Sequence, residues 1–88
     1  MENLTREAIQ NVLIQAIAGE MSLPENEIRP EMSLKEDLAM ESLDAMNIIM
    51  ALEEHYRVET DLEDILECQR ISEIVDYMES FLKNRSAA

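Results

Sequence analysis

Both prolines of this chain, Pro24 and Pro30, fall within residues 20–41, and its single glycine, Gly19, stands at the edge of that stretch. Proline removes a backbone donor and glycine relaxes the backbone, so the residues that interrupt helices are gathered in one place. On either side the sequence runs unbroken. Alternation of β-branched residues over a strand's length is absent, whereas apolar residues recur at helical spacing, and the chain reads as all-α.

Four segments carry that spacing. Over residues 4–19, Ile9, Val12, Leu13, Ala16 and Ile17 follow i, i+3, i+4, i+7, i+8 and share one helix face. Thr5 is a suitable N-cap, and Gly19 is expected to turn the chain at the far end. Over residues 42–56, Ala45, Ile48, Ile49, Leu52 and Tyr56 form the core-facing side. A short helix over 61–66, capped by Asp61 with Asp64, presents Leu62, Ile65 and Leu66. A last helix over 70–84 presents Ile71, Ile74, Val75, Met78 and Leu82, with Lys83 and Arg85 suited to its C-terminal dipole and Ser86, Ala87 and Ala88 expected to fray.

The expected architecture is a four-helix bundle in a single domain, 1–88, with a long loop between the first and second helices and a short third helix. A structureless connection as long as residues 20–41 is uncommon in a compact domain. Leu23, Ile28, Met32, Leu34 and Leu38 are spaced to staple it across the core, and Ser33 with Glu36 matches a capping box for a short helical turn.

Charge narrows the partners. Seven basic against twenty acidic residues give a net charge of −13, which disfavours nucleic acid and anionic lipid and points to basic proteins. The longest apolar run, Ile48 to Leu52, is far short of a membrane span. Cys68 has no second cysteine to pair with, and cysteine and histidine offer no metal-ligand spacing, which fits a reducing cytoplasm. A monomer is the default expectation. A chain this short builds only a small core, so function is expected near the surface.

The second helix has a further face on which Leu43, Met46 and Met50 project beside Asn47 and Glu54, flanked by Asp44 and Glu53. Apolar side chains in an acidic surround suit a docking surface, although methionine is also an ordinary core filler and solvated helix faces are usually charged. Between Glu36 and Glu67 eleven acids stand against one base, Arg57, and this imbalance favours steering of a basic partner.

Ser42 opens that helix, and three roles are compatible with its position. A helix N-cap is the ordinary one. A catalytic nucleophile needs a base, and the only histidine, His55, is three turns away along the same helix and better read as a surface or boundary residue. The third role is acceptance of a phosphodiester-linked group, which a helix N-terminus suits because its amides and dipole favour an anion.

The stretch Glu36 to Glu54, EDLAMESLDAMNIIMALEE, resembles the signature of acyl carrier proteins, in which the serine of an Asp-Ser-Leu motif bears 4′-phosphopantetheine. Length, acidity and helix order resemble that family as well, and so does Val75-Asp76-Tyr77-Met78 in the last helix. The resemblance implies that Ser42 is the attachment site, loaded from coenzyme A by a separate phosphopantetheinyl transferase. It also implies that Leu43, Asp44, Met46, Asn47, Met50, Glu53 and Glu54 lie where partner enzymes with basic patches dock. The implied function is to hold acyl intermediates as thioesters for fatty-acid or related lipid or polyketide synthesis, as a carrier and not an enzyme, with the acyl chain entering the core beside the second helix. A peptidyl or aminoacyl carrier, and an unmodified acidic interaction module in which Ser42 is only a cap, are the alternatives. A calcium sensor would share the acidity, but no EF-hand loop is present.

Three positions depart from the family pattern. Glu41 replaces Asp before the serine, Asn47 stands where an acid is common, and Ala39 stands where Gly is common. Alanine disfavours a positive φ by about 1 kcal/mol or more, which predicts a different approach of the loop to the serine.

Overall fold

The computed structural model describes residues 4–86, with side chains through Asn84. Its helices are α1 (Arg6–Met21), α2 (Ser42–Tyr56), α3 (Leu62–Leu66) and α4 (Ile71–Ser86), with a 3₁₀ turn at Glu25–Glu27. The protein is an all-α four-helix bundle with a long first connection and a short third helix. Among the described residues no helix is long and apolar enough to cross a membrane.

α1 is the shared wall of the bundle, packing against both α2 and α4, while α3 packs against α2. The periodic residues explain this arrangement. Ile9, Leu13 and Ile17 from α1, Ile48, Ile49 and Leu52 from α2, Ile65 from α3, and Ile71, Ile74, Val75, Met78 and Leu82 from α4 are all buried. Val12, Ala16, Ala45, Leu62 and Tyr56 are half-buried at the margin. Each fully buried aliphatic side chain contributes about 1.5–3 kcal/mol against the entropy of ordering the chain.

The connection between α1 and α2 is anchored at both apolar and polar points. Ile28 and Leu38 are buried, and Leu23, Met32 and Leu34 pack against the core. Backbone bonds then strap the loop to the start of α4: Leu34 N–H to Gln69 O at 2.9 Å, Ile71 N–H to Met32 O at 3.2 Å and Ser72 N–H to Pro30 O at 2.8 Å. Arg70 adds a hydrogen bond from its guanidinium to the Glu31 carbonyl at 2.6 Å. Such pairing satisfies amides and carbonyls that a long loop would otherwise leave to water.

Ser33 caps a turn over residues 34–38, accepting the Glu36 N–H on Oγ at 3.1 Å. The returning carboxylate is Asp37 rather than Glu36, since Asp37 Oδ2 accepts from Ser33 N–H at 2.7 Å. The segment is a turn and not a helix.

Helix ends follow local chemistry. Thr5 Oγ1 accepts from Ala8 N–H at 3.2 Å at the start of α1, and Asp61 accepts from Glu63 N–H at 3.1 Å at the start of α3. The Asp61 N–H in turn donates to the Tyr77 hydroxyl at 3.1 Å, tying α3 to α4. α4 is helical through Ser86, so Ser86 is not frayed; Ala87, Ala88 and the Arg85 side chain lie outside the described residues. Lys83 pairs with Glu79 at 3.2 Å, one turn back.

Gly19 does not end α1. The helix continues to Met21, and Ser22 takes the left-handed conformation at φ 56°, its N–H donating to Ala18 O. Glycine at an exposed helical position carries an entropic cost with no conformational gain, and a Cβ at Gly19 meets nothing within 4 Å. Gly19→Ala is therefore expected to stabilise the fold by about 0.5–1 kcal/mol, read as a rise of a few degrees in melting temperature; an unchanged or lower value would contradict this account of the helix end.

Candidate functional site

α2 begins with two carboxylates. Glu41 is the N-cap residue, and Glu41 with Asp44 forms a capping box across the first turn. The well-formed arm of that box is Asp44 Oδ2, which accepts from Glu41 N–H at 3.1 Å. Ser42 is consequently not the cap. It is the first helical residue, exposed, and among the described residues its hydroxyl has no hydrogen-bond partner. The reading of Ser42 as a capping serine is thereby corrected, because a glutamate one position earlier holds that place. The pattern Glu41-x-x-Asp44 carried the signal, as an acid-for-serine version of the usual capping sequence.

The loop reaches Ser42 through Ala39, whose φ is 51°. The expectation that alanine steers the loop away from a left-handed turn is overturned: Leu38 is buried just before it and Met40 N–H donates to Leu34 O at 2.9 Å just after it. Those anchors hold Ala39 in a conformation that glycine adopts more easily.

Beside Ser42 lies an open cleft of about 820 Å³. One wall is the turn Ser33 to Glu36 with Met40 and Glu41, the other is Ile65 to Gln69, and Ile17, Ile48, Ile49 and Ile74 supply apolar surface from the core. The Leu34–Gln69 backbone bond joins the two walls. The cleft is thus apolar inside and charged at its edge, with Ser42 among its lining residues.

Cys68 lies in the second wall and is half-buried. Its Sγ approaches the Asp64 carbonyl at 3.8 Å. Burial pushes the thiol pKa up, with the negative charges of Glu73, Asp76, Glu67 and Asp64 adding to the effect, so the thiolate is disfavoured.

The outward face of α2 separates into exposed and tethered residues. Leu43 is 66% exposed, Met50 60% and Met46 40%, far beyond what a core role for these side chains allows. Glu54 is also exposed. The other three have partners within the protein. Asp44 caps the helix, and Asn47 Nδ2 donates to Glu20 Oε2 at 3.1 Å, linking α2 to α1. Glu53 Oε2 accepts from both the N–H and the hydroxyl of Thr60 at 2.8 Å, fixing the segment that leads into α3. His55 is exposed in the last turn of α2, edge-on to Tyr56, at the opposite end of the helix from Ser42.

A family model described as a phosphopantetheine attachment site matches residues 11–78. The acyl carrier protein of Syntrophobacter fumaroxidans is 34% identical over 80 residues, covering 91% of this chain and 95% of that one. Those of Rubrobacter xylanophilus and Phytoplasma mali are 35% and 32% identical, covering 85% and 77% of this chain and 93% and 81% of theirs. The chain belongs to the acyl carrier protein family. Its prosthetic group is 4′-phosphopantetheine, and the carrier's cleft, apolar within and open at its edge, fits a flexible arm bearing an apolar load.

Because carboxylates and not the serine hold the start of α2, the carrier should be indifferent to loss of the hydroxyl. Ser42→Ala is expected to stay within about 0.5 kcal/mol of the wild type in denaturant unfolding, and Asp44→Ala to lose about 1 kcal/mol. The reverse order would restore the capping role to Ser42.

Proposed function

We propose that Ser42 bears the 4′-phosphopantetheine arm and that the protein carries acyl groups between enzymes of fatty-acid or related lipid or polyketide synthesis. The observation that carries this reading is the exposed Ser42 hydroxyl, relieved of capping by Glu41 and Asp44 and standing at the cleft. A side chain that must be modified gains from having no hydrogen bond to surrender. Loading by a phosphopantetheinyl transferase forms a bond from Ser42 Oγ to phosphorus as the pyrophosphate linkage of coenzyme A breaks, the adenosine bisphosphate leaving with the electron pair and the hydroxyl proton passing to solvent. When bound, the arm supplies a thiol that holds an acyl group as a thioester.

The chain's own residues position and recognise. Leu43, Met46 and Met50 offer an apolar docking strip, and Glu54 with the surrounding acids steers enzymes that present basic patches. Asp44, Asn47 and Glu53 belong to the same docking face in this reading, but their internal hydrogen bonds mean that substituting them also disturbs the fold. Apolar surface from Ile17, Ile49 and Ile65 receives the first part of an acyl chain and removes it from water. The protein acts as a monomer in the cytoplasm, a reading supported by its acidity and lone cysteine.

Incubating the apo protein with coenzyme A, magnesium and a broad-specificity transferase should add one phosphopantetheine to the wild type and none to Ser42→Ala, read by intact mass. Addition to the alanine variant, or none to the wild type beside a carrier that does load, would refute the assignment.

A further inference from the structure

A phosphodiester on Ser42 places another negative charge in an acidic part of the chain. Glu41 and Asp44 flank the serine, and Glu36 and Glu67 line the same cleft. A helix N-terminus ordinarily welcomes an anion through its unpaired amides. Here two carboxylates already stand at that end, with Asp44 Oδ2 accepting from the Glu41 N–H. Like charges therefore stand beside the position of the arm's phosphate.

Lys35 is the only basic residue among those lining the cleft. It is exposed, and among the described residues it makes no hydrogen bond or ion pair, despite the acids around it. Arg6 pairs with Asp76, Arg70 with the Glu31 carbonyl and Lys83 with Glu79, whereas Arg29 and Arg57, like Lys35 without a side-chain partner among the described residues, do not line the cleft. The backbone beneath Lys35 is fixed, because Ser33 and Asp37 close its turn and Leu34 is bonded to Gln69. Lys35 and Ser42 line the same cleft, the long, flexible stem leaves the ammonium mobile on a fixed base, and a compact point charge suits phosphate.

We propose that Lys35 is the counter-cation of the arm's phosphodiester, holding the base of the arm at the cleft and relieving its repulsion from Glu41 and Asp44. The proposal rests on Ser42 as the attachment site. Lys35 is in this sense a positioning residue: it contacts the phosphate and leaves the thiol end free to move.

The test compares wild type, Lys35→Gln and Lys35→Arg, each in the apo and arm-bearing forms, with loading checked by intact mass. At low salt, loading should lower the melting temperature of Lys35→Gln by about 2–4 °C more than that of the wild type. The difference should shrink in about 0.5 M salt, and the ³¹P resonance of the arm should move in Lys35→Gln and return in Lys35→Arg. A merely structural lysine would alter the apo and loaded forms alike. Mass gain with equal loading penalties and identical ³¹P shifts overturns the role of Lys35 alone. No mass gain in any of the three proteins overturns the Ser42 assignment, and this proposal with it.

Discussion

Carboxylates at the start of α2 govern the site. Glu41 and Asp44 organise the first helical turn between them, with the Glu41 N–H held by Asp44 Oδ2. This leaves Ser42 rigidly placed at its backbone and uncommitted at its side chain. On the proposed assignment, a hydroxyl in that state meets the loading enzyme without an internal bond to break, and fold and modification do not compete for it. The same acids make the neighbourhood strongly negative, which gives Lys35, alone among the cleft-lining residues in its positive charge, its significance.

The long loop has an equally direct consequence. Its two prolines and its spaced apolar residues let it cross the core ends, and its backbone is strapped to the segment before α4. The two walls of the cleft are the loop and the α3 region, so the strap from Leu34 to Gln69 sets their separation. α1 and α2 contribute apolar surface whose residues also build the common core. Cleft lining and core are continuous, so a load that entered the cleft as proposed would exchange water for the surface that stabilises the bundle.

Helical spacing made the core legible from sequence: Ile9, Leu13, Ile17, Ile48, Ile49, Leu52 and the α4 set are buried as their periodicity requires. Helix ends were less legible, because Gly19 and Ser42 each carry a strong local preference that a neighbour overrode. Ser22 adopts the left-handed turn expected of Gly19, and Glu41 takes the cap expected of Ser42. Ala39 holds a positive φ because buried Leu38 and the Met40 bond determine the path, a tertiary effect invisible to residue preference. The docking face divided in the same way. Spacing revealed which side of α2 faces outward, whereas the Thr60, Glu20 and Glu41 partners of its polar residues come from contacts that spacing does not encode.

The central claim is that a load attached at Ser42 enters the cleft between the loop and α3. The most direct measurement is an NMR comparison of the arm-bearing carrier with and without an isotopically labelled octanoyl group on its thiol. The account predicts cross-relaxation between the octanoyl methylenes and the side chains of Ile17, Ile49 and Ile65, with amide shifts spreading along both walls. Cross-relaxation absent from all three, with shifts confined to Ser42 and its immediate neighbours, would contradict it.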